Sequence, residues 1–300
     1  MAQGQTRCGV IAVIGAPNAG KSTLVNALVG QKVAITSAKA QTTRARLLGI
    51  ALHGGTQMIL VDTPGIFAPK RRLDRAMVSA AWEGTEAADV VLLMVDPIKQ
   101  RRHELEPLLE ALASRPERKV LVLNKVDAAK KEPLLALAQE LTGKVDFAEV
   151  FFVSALTGDG VPEMKAALAA MMPEAEWMYP EDQVSDASER LLAAEITREQ
   201  LYRQLHEELP YDSAVRPELY QHRPDGSLEI HQQIVVTRAN QRAIVLGKGG
   251  SKIKAIGEAA RQELSELLGV KVHLFLHVKV EENWSENREL FEEIGLDWVR

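Results

Sequence analysis

The feature that most constrains the fold of this chain is a glycine-flanked loop between a strand-like run and a helix-like run. The apolar run Val10–Ile14 precedes the loop, a helical pattern follows it, and the loop reads Gly15-Ala16-Pro17-Asn18-Ala19-Gly20-Lys21-Ser22-Thr23. Its glycines let the backbone amides face inward, where they and the helix N-terminus can bind phosphate groups. Lys21 is placed to reach the β- and γ-phosphates, and the Ser22 hydroxyl to bind Mg²⁺. The sequence therefore predicts a nucleoside triphosphate site.

Three further polar segments follow apolar, strand-like runs. The first is Asp62-Thr63-Pro64-Gly65-Ile66, where the carboxylate can hold the Mg²⁺ shell and the Gly65 N–H can meet the γ-phosphate. The second is Asn124-Lys125-Val126-Asp127, whose Asp127 carboxylate can accept from the N1–H and the 2-amino group of guanine. Adenine offers neither donor, so this segment selects guanine. The third, Ser154-Ala155-Leu156, can present backbone N–H groups to the guanine oxygen.

The order of the four segments resembles that of Ras-like GTPases. Alternating strand and helix patterns through Met172 predict a doubly wound α/β sheet with parallel core strands and its nucleotide site at the C-terminal strand ends. Residues 104–112 and 134–141 are predicted as covering helices.

A polar stretch from Ala38 to Arg46 lies where such GTPases carry a mobile switch. Thr43 is the predicted second Mg²⁺ hydroxyl, and Thr42 is the alternative. The predicted metal ligands are therefore Ser22, Thr43 and Asp62.

Ile66 lies where many Ras-like GTPases have a water-orienting glutamine, and its side chain cannot polarise water. Catalysis then needs another source of charge. The phosphate loop with Asn18 resembles that of potassium-activated GTPases, which implies that K⁺ beside Asn18 supplies the charge that an arginine supplies elsewhere. An amide that only stabilises the loop is the alternative role of Asn18. The predicted catalytic residues are Lys21, Asn18, Thr43 and Gly65.

Composition limits where such a chain can work. With 300 residues and 46% hydrophobic side chains, it can bury a sizeable core and is expected to form two domains. Its single cysteine, Cys8, allows no internal disulfide, so a reducing cytoplasm is expected. We expect no membrane span, because no apolar run approaches the ~18 residues that a span requires.

A proline-rich acidic stretch from Pro173 to Asp182 interrupts the pattern, and the domain boundary is predicted within it, between 1–175 and 176–300. Beyond it, Ser185 or Asp186 is predicted to cap a helix that runs to Leu209. Strands are predicted at 228–236, 242–246 and 272–280, with a helix from Ser251 between the last two.

This second region resembles a type II KH domain, and its Gly-x-x-G turn carries the likeness. In that family the turn joins two helices, so residues 243–246 are helical in this alternative. The glycines bring a single-stranded RNA backbone close to exposed amides. The predicted RNA-binding residues are Arg238, Arg242, Gly247, Lys248, Gly249, Gly250, Ser251, Lys252 and Lys254.

The charge distribution restricts the kind of RNA binding. Residues 1–175 carry 21 basic and 18 acidic side chains, net +3, whereas the remainder carries 15 and 23, net −8. An acidic domain binds RNA poorly without sequence preference. From Arg238 to Lys254, however, five residues are basic and none is acidic. Selective binding of a short single strand is therefore expected.

Both halves together resemble the Era family of bacterial GTPases over nearly the whole length. Besides the guanine and KH segments, Gln41-Thr42-Thr43-Arg44 and Val272-His273-Leu274 before Trp284 carry this resemblance. It implies GTP hydrolysis with Mg²⁺, coupled to assembly of the small (30S) ribosomal subunit. The KH domain then holds the 3′ end of 16S rRNA, and the protein associates peripherally with the inner membrane. A monomer is expected.

The expected mechanism is a switch. GTP–Mg²⁺ orders the Thr43 loop and the Asp62–Gly65 loop, which frees the RNA surface of the KH domain, and hydrolysis reverses the change. One alternative is an RNA-binding scaffold in which GTP occupancy matters and turnover is incidental. A metabolic P-loop kinase is disfavoured by Asn124-Lys125-Val126-Asp127.

Overall fold

The computed structural model describes residues 6–298 except 38, 40, 41, 68, 70, 100, 101, 206–208, 295 and 297. The chain divides into two compact units. Unit 1 comprises Met1–Ala34 and Thr43–Asp186, and unit 2 comprises Ile35–Thr42 and Ala187–Arg300. The domain boundary expected after residue 175 stays a prediction. By compactness, unit 1 extends to Asp186.

Unit 1 is built on a six-stranded sheet in the order β2-β3-β1-β4-β5-β6. All neighbouring strands are parallel except β2 and β3, which are antiparallel. The strands are β1 (Arg7–Gly15), β2 (Leu47–His53), β3 (Thr56–Asp62), β4 (Val90–Val95), β5 (Arg118–Leu123) and β6 (Glu149–Phe152). The helices are α1 (Lys21–Val29), α2 (Arg72–Glu83), α3 (Arg102–Ala113), α4 (Lys131–Thr142) and α5 (Val161–Met171).

The predicted doubly wound sheet is confirmed, because apolar clusters cover both of its faces. Successive side chains of β1 alternate between them: Ile11 and Val13 pack with α1 and α5, whereas Ala12 and Ile14 pack in the cluster that contains α3. Parallel strands end at one edge of a sheet. The loops after β1, β3, β4 and β5 therefore meet at that edge.

The segment after residue 175 belongs to the edge of this sheet. Val184 accepts a hydrogen bond from the Ile50 amide at 2.8 Å, and the Ser185 hydroxyl donates to the Leu48 carbonyl at 2.7 Å. These bonds occupy backbone groups of the edge strand β2, which protects it from pairing with another chain.

Unit 2 has a three-stranded sheet in the order β7-β8-β9, in which β7 and β8 are antiparallel and β8 and β9 are parallel. Its elements are α6 (Glu189–Gln204), β7 (Ser213–His222), β8 (Leu228–Val236), α7 (Ala239–Leu246), α8 (Ser251–Leu268), β9 (Val272–Val280) and α9 (Arg288–Glu293). Helix α8 buries Ile256, Ala260 and Leu264 at helical spacing.

Two local predictions for unit 2 are wrong. Residues 242–246 are helical, so the strand prediction fails and the helical alternative holds. Helix α6 is capped by Ser188, whose hydroxyl accepts from the Leu191 amide at 3.3 Å, and it ends at Gln204. Ser185 and Asp186 instead bond to β2, which removes them from the cap.

Candidate nucleotide and nucleic-acid sites

The phosphate loop joins β1 directly to α1 and depends on its two glycines. Gly15 has φ +151° and Gly20 has φ +101°. A Cβ on Gly15 would lie 2.3 Å from the Met94 carbonyl oxygen, and one on Gly20 would lie 2.2 Å from Asn124 Nδ2. Only glycine fits both the backbone angles and the space, so the loop is a tightly constrained turn.

Lys21 lies under this loop and is 6% exposed. Its Nζ donates to the carbonyls of Ala16 at 3.0 Å and Gly15 at 3.3 Å. Burial lowers the pKa of Lys21 to about 8, and the nearby Asp62 carboxylate opposes part of that shift. A buried ammonium bonded to two carbonyls of the phosphate loop is suited to bind phosphate oxygens.

Three oxygen-bearing side chains meet beside the loop. Ser22 Oγ lies 2.8 Å from Thr43 Oγ1, and these hydroxyls donate to Asp62 Oδ2 at 2.7 and 3.1 Å. Burial raises the pKa of Asp62, while the Ser22 hydrogen bond and Lys21 oppose the rise. Asp62 Oδ1 is buried and has no hydrogen-bond partner among the residues that the structure describes. A buried oxygen ligand set with an unpaired carboxylate atom fits Mg²⁺.

The two switch threonines have different hydrogen-bond partners. The Thr42 hydroxyl donates to the Lys39 carbonyl at 2.9 Å, whereas the Thr43 hydroxyl joins Ser22 and Asp62. Gln41 of the same motif lies outside the described residues.

The Gly65 loop lies against the phosphate loop. The Ile66 amide donates to the Gly15 carbonyl at 3.0 Å, and a Cβ on Gly65 would lie 2.7 Å from the Pro17 nitrogen. The Ile66 side chain packs against an apolar cluster of the sheet, and the Thr63 hydroxyl donates to the Val13 carbonyl at 2.7 Å. The side chains of Thr63 and Ile66 therefore hold the loop against the sheet.

The guanine segments are tied together through Asn124. Its Nδ2 donates to the Ala19 carbonyl at 2.8 Å, and its Oδ1 accepts from the Ala155 amide at 2.9 Å. The side chains of Asp127 and Leu156 are exposed, so Asp127 is accessible to a base. Val126 instead packs against the core, and its amide bonds to the Val153 carbonyl.

Sequence reasoning missed Asp96, which follows β4. This carboxylate is 4% exposed and accepts from Lys125 Nζ at 2.6 Å. The available signal was a polar residue after an apolar parallel strand, the same signal that marked Asp62 and Asn124.

The predicted RNA-binding turn lies between α7 and α8. Gly247, Gly249 and Gly250 have φ values of +70°, +61° and +78°. A Cβ on Gly249 or Gly250 would meet nothing within 4 Å, which leaves room for a ligand backbone. The other predicted residues surround the turn: Arg238, Arg242, Lys248, Ser251 and Lys254 are exposed, and Lys252 is half-buried.

A groove of about 490 Å³ runs between α8 and β9, next to this turn in sequence. Ile253, Gly257 and Leu276 form part of its wall, Lys254 and Arg261 supply positive charge, and Glu258 supplies one negative charge. Its apolar surface is suited to unstacked bases, and its two basic side chains to their phosphates.

Comparisons with known proteins match both halves of the chain. A family model described as a 50S ribosome-binding GTPase matches residues 10–125, and one described as a KH domain matches residues 208–285. The chain is 82% identical over 299 residues to the protein named GTPase Era of Erythrobacter litoralis, covering 98% of both chains. It is 51% identical to GTPase Era of Caulobacter vibrioides, again covering 98% of both.

Two solved Era structures are similar to this chain over nearly its whole length. An Era structure in complex with MgGDPNP and nucleotides 1506–1542 of 16S ribosomal RNA is similar with a TM-score of 0.92 and 37% identity. Aquifex aeolicus Era bound to GDP·AlF4⁻, solved as a point variant, has a TM-score of 0.91 and 37% identity. Each match covers 97% of this chain and 99% of the other. Within the described residues, none of the helices has the length and apolarity to cross a bilayer.

Proposed function

This chain belongs to the Era family of GTPases and hydrolyses GTP with Mg²⁺, and we propose that unit 2 binds the 3′ end of 16S rRNA during assembly of the 30S subunit. The observation that carries the proposal is that one chain holds both a glycine-flanked phosphate loop with Ser22 bonded to Asp62 and an open glycine turn near a groove that Lys254 and Arg261 line. The relative solved with MgGDPNP and 16S rRNA supports the same pairing of ligands.

We assign the nucleotide contacts residue by residue. Lys21 and the amides of the phosphate loop hold the phosphates, the Gly65 amide meets the γ-phosphate, and Asp127 accepts from guanine. Ser22, Thr43 and Asp62 hold Mg²⁺, which when bound offsets phosphate charge. Residue 66 is isoleucine, whose apolar side chain cannot orient the attacking water.

We further propose a K⁺ site at Asn18. Its side chain is exposed and its backbone has φ +63°, so it projects from the strained tip of the phosphate loop. A monovalent cation there supplies positive charge that the apolar Ile66 cannot.

GTP turnover is therefore expected to be about tenfold faster or more in KCl than in NaCl at equal ionic strength, since it gains one electrostatic stabiliser of the transition state. Asn18→Ala is expected to abolish the difference. Steady-state phosphate release measures both, and equal rates in the two salts with the wild-type protein would remove the K⁺ site.

We propose that the segment 35–42 transmits the nucleotide state. Within unit 2, the Thr36 amide donates to the buried Glu199 carboxylate at 3.2 Å. Lys39 Nζ donates to the carbonyls of Tyr202 and Leu205 at the C-terminal end of α6, where a cation is favourable. The next residues of the chain lead to Thr43 in the Mg²⁺ site. Ordering of Thr43 by GTP–Mg²⁺ is therefore expected to change the contacts that Thr36 and Lys39 make with α6 and the residue after it.

The RNA proposal is tested by placing carboxylates at the turn. Gly249→Asp with Gly250→Asp is expected to weaken binding of a 16S 3′-end oligonucleotide about tenfold or more, because each added charge faces phosphate. Gly226→Asp is the matched control: it lies in the same unit, has φ +79° and also has no atom within 4 Å of its Cβ position. Fluorescence anisotropy gives the Kd values, and equal losses in both proteins would contradict the assignment.

The same titration tests coupling. RNA affinity is expected to differ between the GTP-analogue and GDP forms of the wild-type protein, and Lys39→Met is expected to shrink that difference. Equal affinities in the two wild-type forms would count against the switch.

We also propose a monomer that acts in the cytoplasm, contacts the 30S subunit and associates peripherally with the inner membrane, as the resemblance to this family implies. These are proposals about its setting.

A further inference from the structure

Asp96 lies between the two halves of the nucleotide site. Strand β4 pairs with β1 on one side and β5 on the other, and those strands lead into the phosphate loop and the guanine segment. Asp96 is the first residue after β4 and is 4% exposed. A buried carboxylate at this position requires partners that compensate its charge.

Its two oxygens have different partners. Oδ1 accepts from the amides of Ile98 at 2.9 Å and Lys99 at 3.1 Å, which fixes the orientation of the carboxylate. Oδ2 accepts from Lys125 Nζ at 2.6 Å. Burial alone would raise the pKa of Asp96, but the Lys125 hydrogen bond and the two amides outweigh it and lower the pKa. The carboxylate is therefore ionised and aimed at Lys125.

Lys125 also contacts the phosphate loop. Its Nζ also donates to the Asn18 carbonyl at 2.9 Å. Asn18 and Lys125 are the two non-glycine residues with positive φ in the described part of the chain, at +63° and +62°. Strained backbones persist where their surroundings over-determine them. Here one ammonium group connects both strained positions.

We infer that Asp96 is a positioning residue for nucleotide binding. It fixes the Lys125 ammonium on the Asn18 carbonyl and so keeps the segment Asn124–Asp127 at a fixed position relative to the phosphate loop. The inference rests on the guanine site proposed above. A nucleotide that spans both loops then loses affinity when the carboxylate is neutralised, because the two binding loops are no longer held at matched positions.

Asp96→Asn is the direct test. Its Oδ1 can still accept from Ile98 and Lys99, but its Nδ2 faces the Lys125 ammonium as a donor. GDP Kd is expected to rise about tenfold or more. Glu106→Gln is the matched control, since it neutralises a carboxylate paired with Lys144 at 2.8 Å on the exposed surface of the same unit. Its GDP Kd is expected to stay within about twofold.

A double-mutant cycle separates positioning from general stability. If Asp96 acts through Lys125, Asp96→Asn is expected to change GDP Kd less than about twofold in a Lys125→Met background. A full tenfold loss in that background would overturn the inference, as would an unchanged Kd for Asp96→Asn alone. If the Asn variant does not fold, Asp96→Glu displaces the charge by one methylene and is expected to give a loss with the same dependence on Lys125.

Failure of this inference differs from failure of the proposed function. A wild-type protein that does not prefer guanine nucleotides contradicts the proposed function, whereas a wild-type preference for guanine together with a GDP Kd that Asp96→Asn leaves unchanged contradicts only the role of Asp96. Isothermal titration calorimetry gives the Kd values, and thermal unfolding of each variant reports its folding.

Discussion

Asp127→Asn is expected to weaken GDP binding about 10²- to 10³-fold, or roughly 3–4 kcal/mol, and to make xanthosine diphosphate the preferred ligand. In the proposed site the wild-type carboxylate accepts two hydrogen bonds from guanine, and such charge-assisted pairs are about twice as strong as neutral ones. The amide of the variant instead offers a donor where guanine also offers donors. Xanthine carries a carbonyl at that position, which pairs with the new donor.

The matched control for this experiment is Asp146→Asn. Asp146 is exposed like Asp127 and lies in the same unit, but it precedes β6 and is therefore at the opposite edge of the sheet. Its variant is expected to bind GDP as the wild type does. Calorimetry with GDP, ADP and xanthosine diphosphate measures the preference. A variant at 127 that still prefers GDP would contradict the assigned role of the carboxylate.

The polar strand ends explain why so much of the nucleotide site could be predicted from sequence. Parallel strands end at the same edge of a sheet, so the segments that carry Ser22, Asp62 and Asn124 had to lie along one edge once their strands were recognised. The structure adds what periodicity does not contain, namely which hydroxyl of a threonine pair lies against Ser22 and Asp62. Thr43 does so in this conformation because Thr42 bonds within the segment 35–42.

Asp96 shows the limit of motif reading. Its role depends on Lys125, which lies on a neighbouring strand end, and only the order β1-β4-β5 places them together. A sequence pattern identifies a polar residue after a strand, but pairing across strands requires the register.

Unit 2 was harder to predict because its local signals conflict with its packing. Residues 242–246 are apolar enough for a strand, yet they form the end of α7, which buries Val245 and stops at the left-handed Gly247. Strand β7 escaped sequence analysis because it contains Pro217 and charged residues and changes register between Pro217 and Leu219. Arg216 there pairs with Glu281 and Glu293, contacts distant in sequence.

Gly65→Ala is expected to lower the turnover of GTP about 10²-fold or more while GDP affinity stays within about threefold. The new Cβ would lie 2.7 Å from the Pro17 nitrogen and 2.8 Å from its Cα, and these are backbone atoms of a loop that cannot yield. The Gly65 loop must therefore move away from the phosphate loop, which removes the amide proposed to meet the γ-phosphate. GDP lacks that phosphate, so its binding does not depend on the closed position.

Gly143→Ala is the control, because its φ of −71° suits alanine and its Cβ would make ordinary contacts of 3.4 Å or more. Single-turnover hydrolysis and GDP titration separate the two effects. Equal losses in both would mean that the phosphate loop itself had been damaged, and an unchanged rate would remove Gly65 from the catalytic residues.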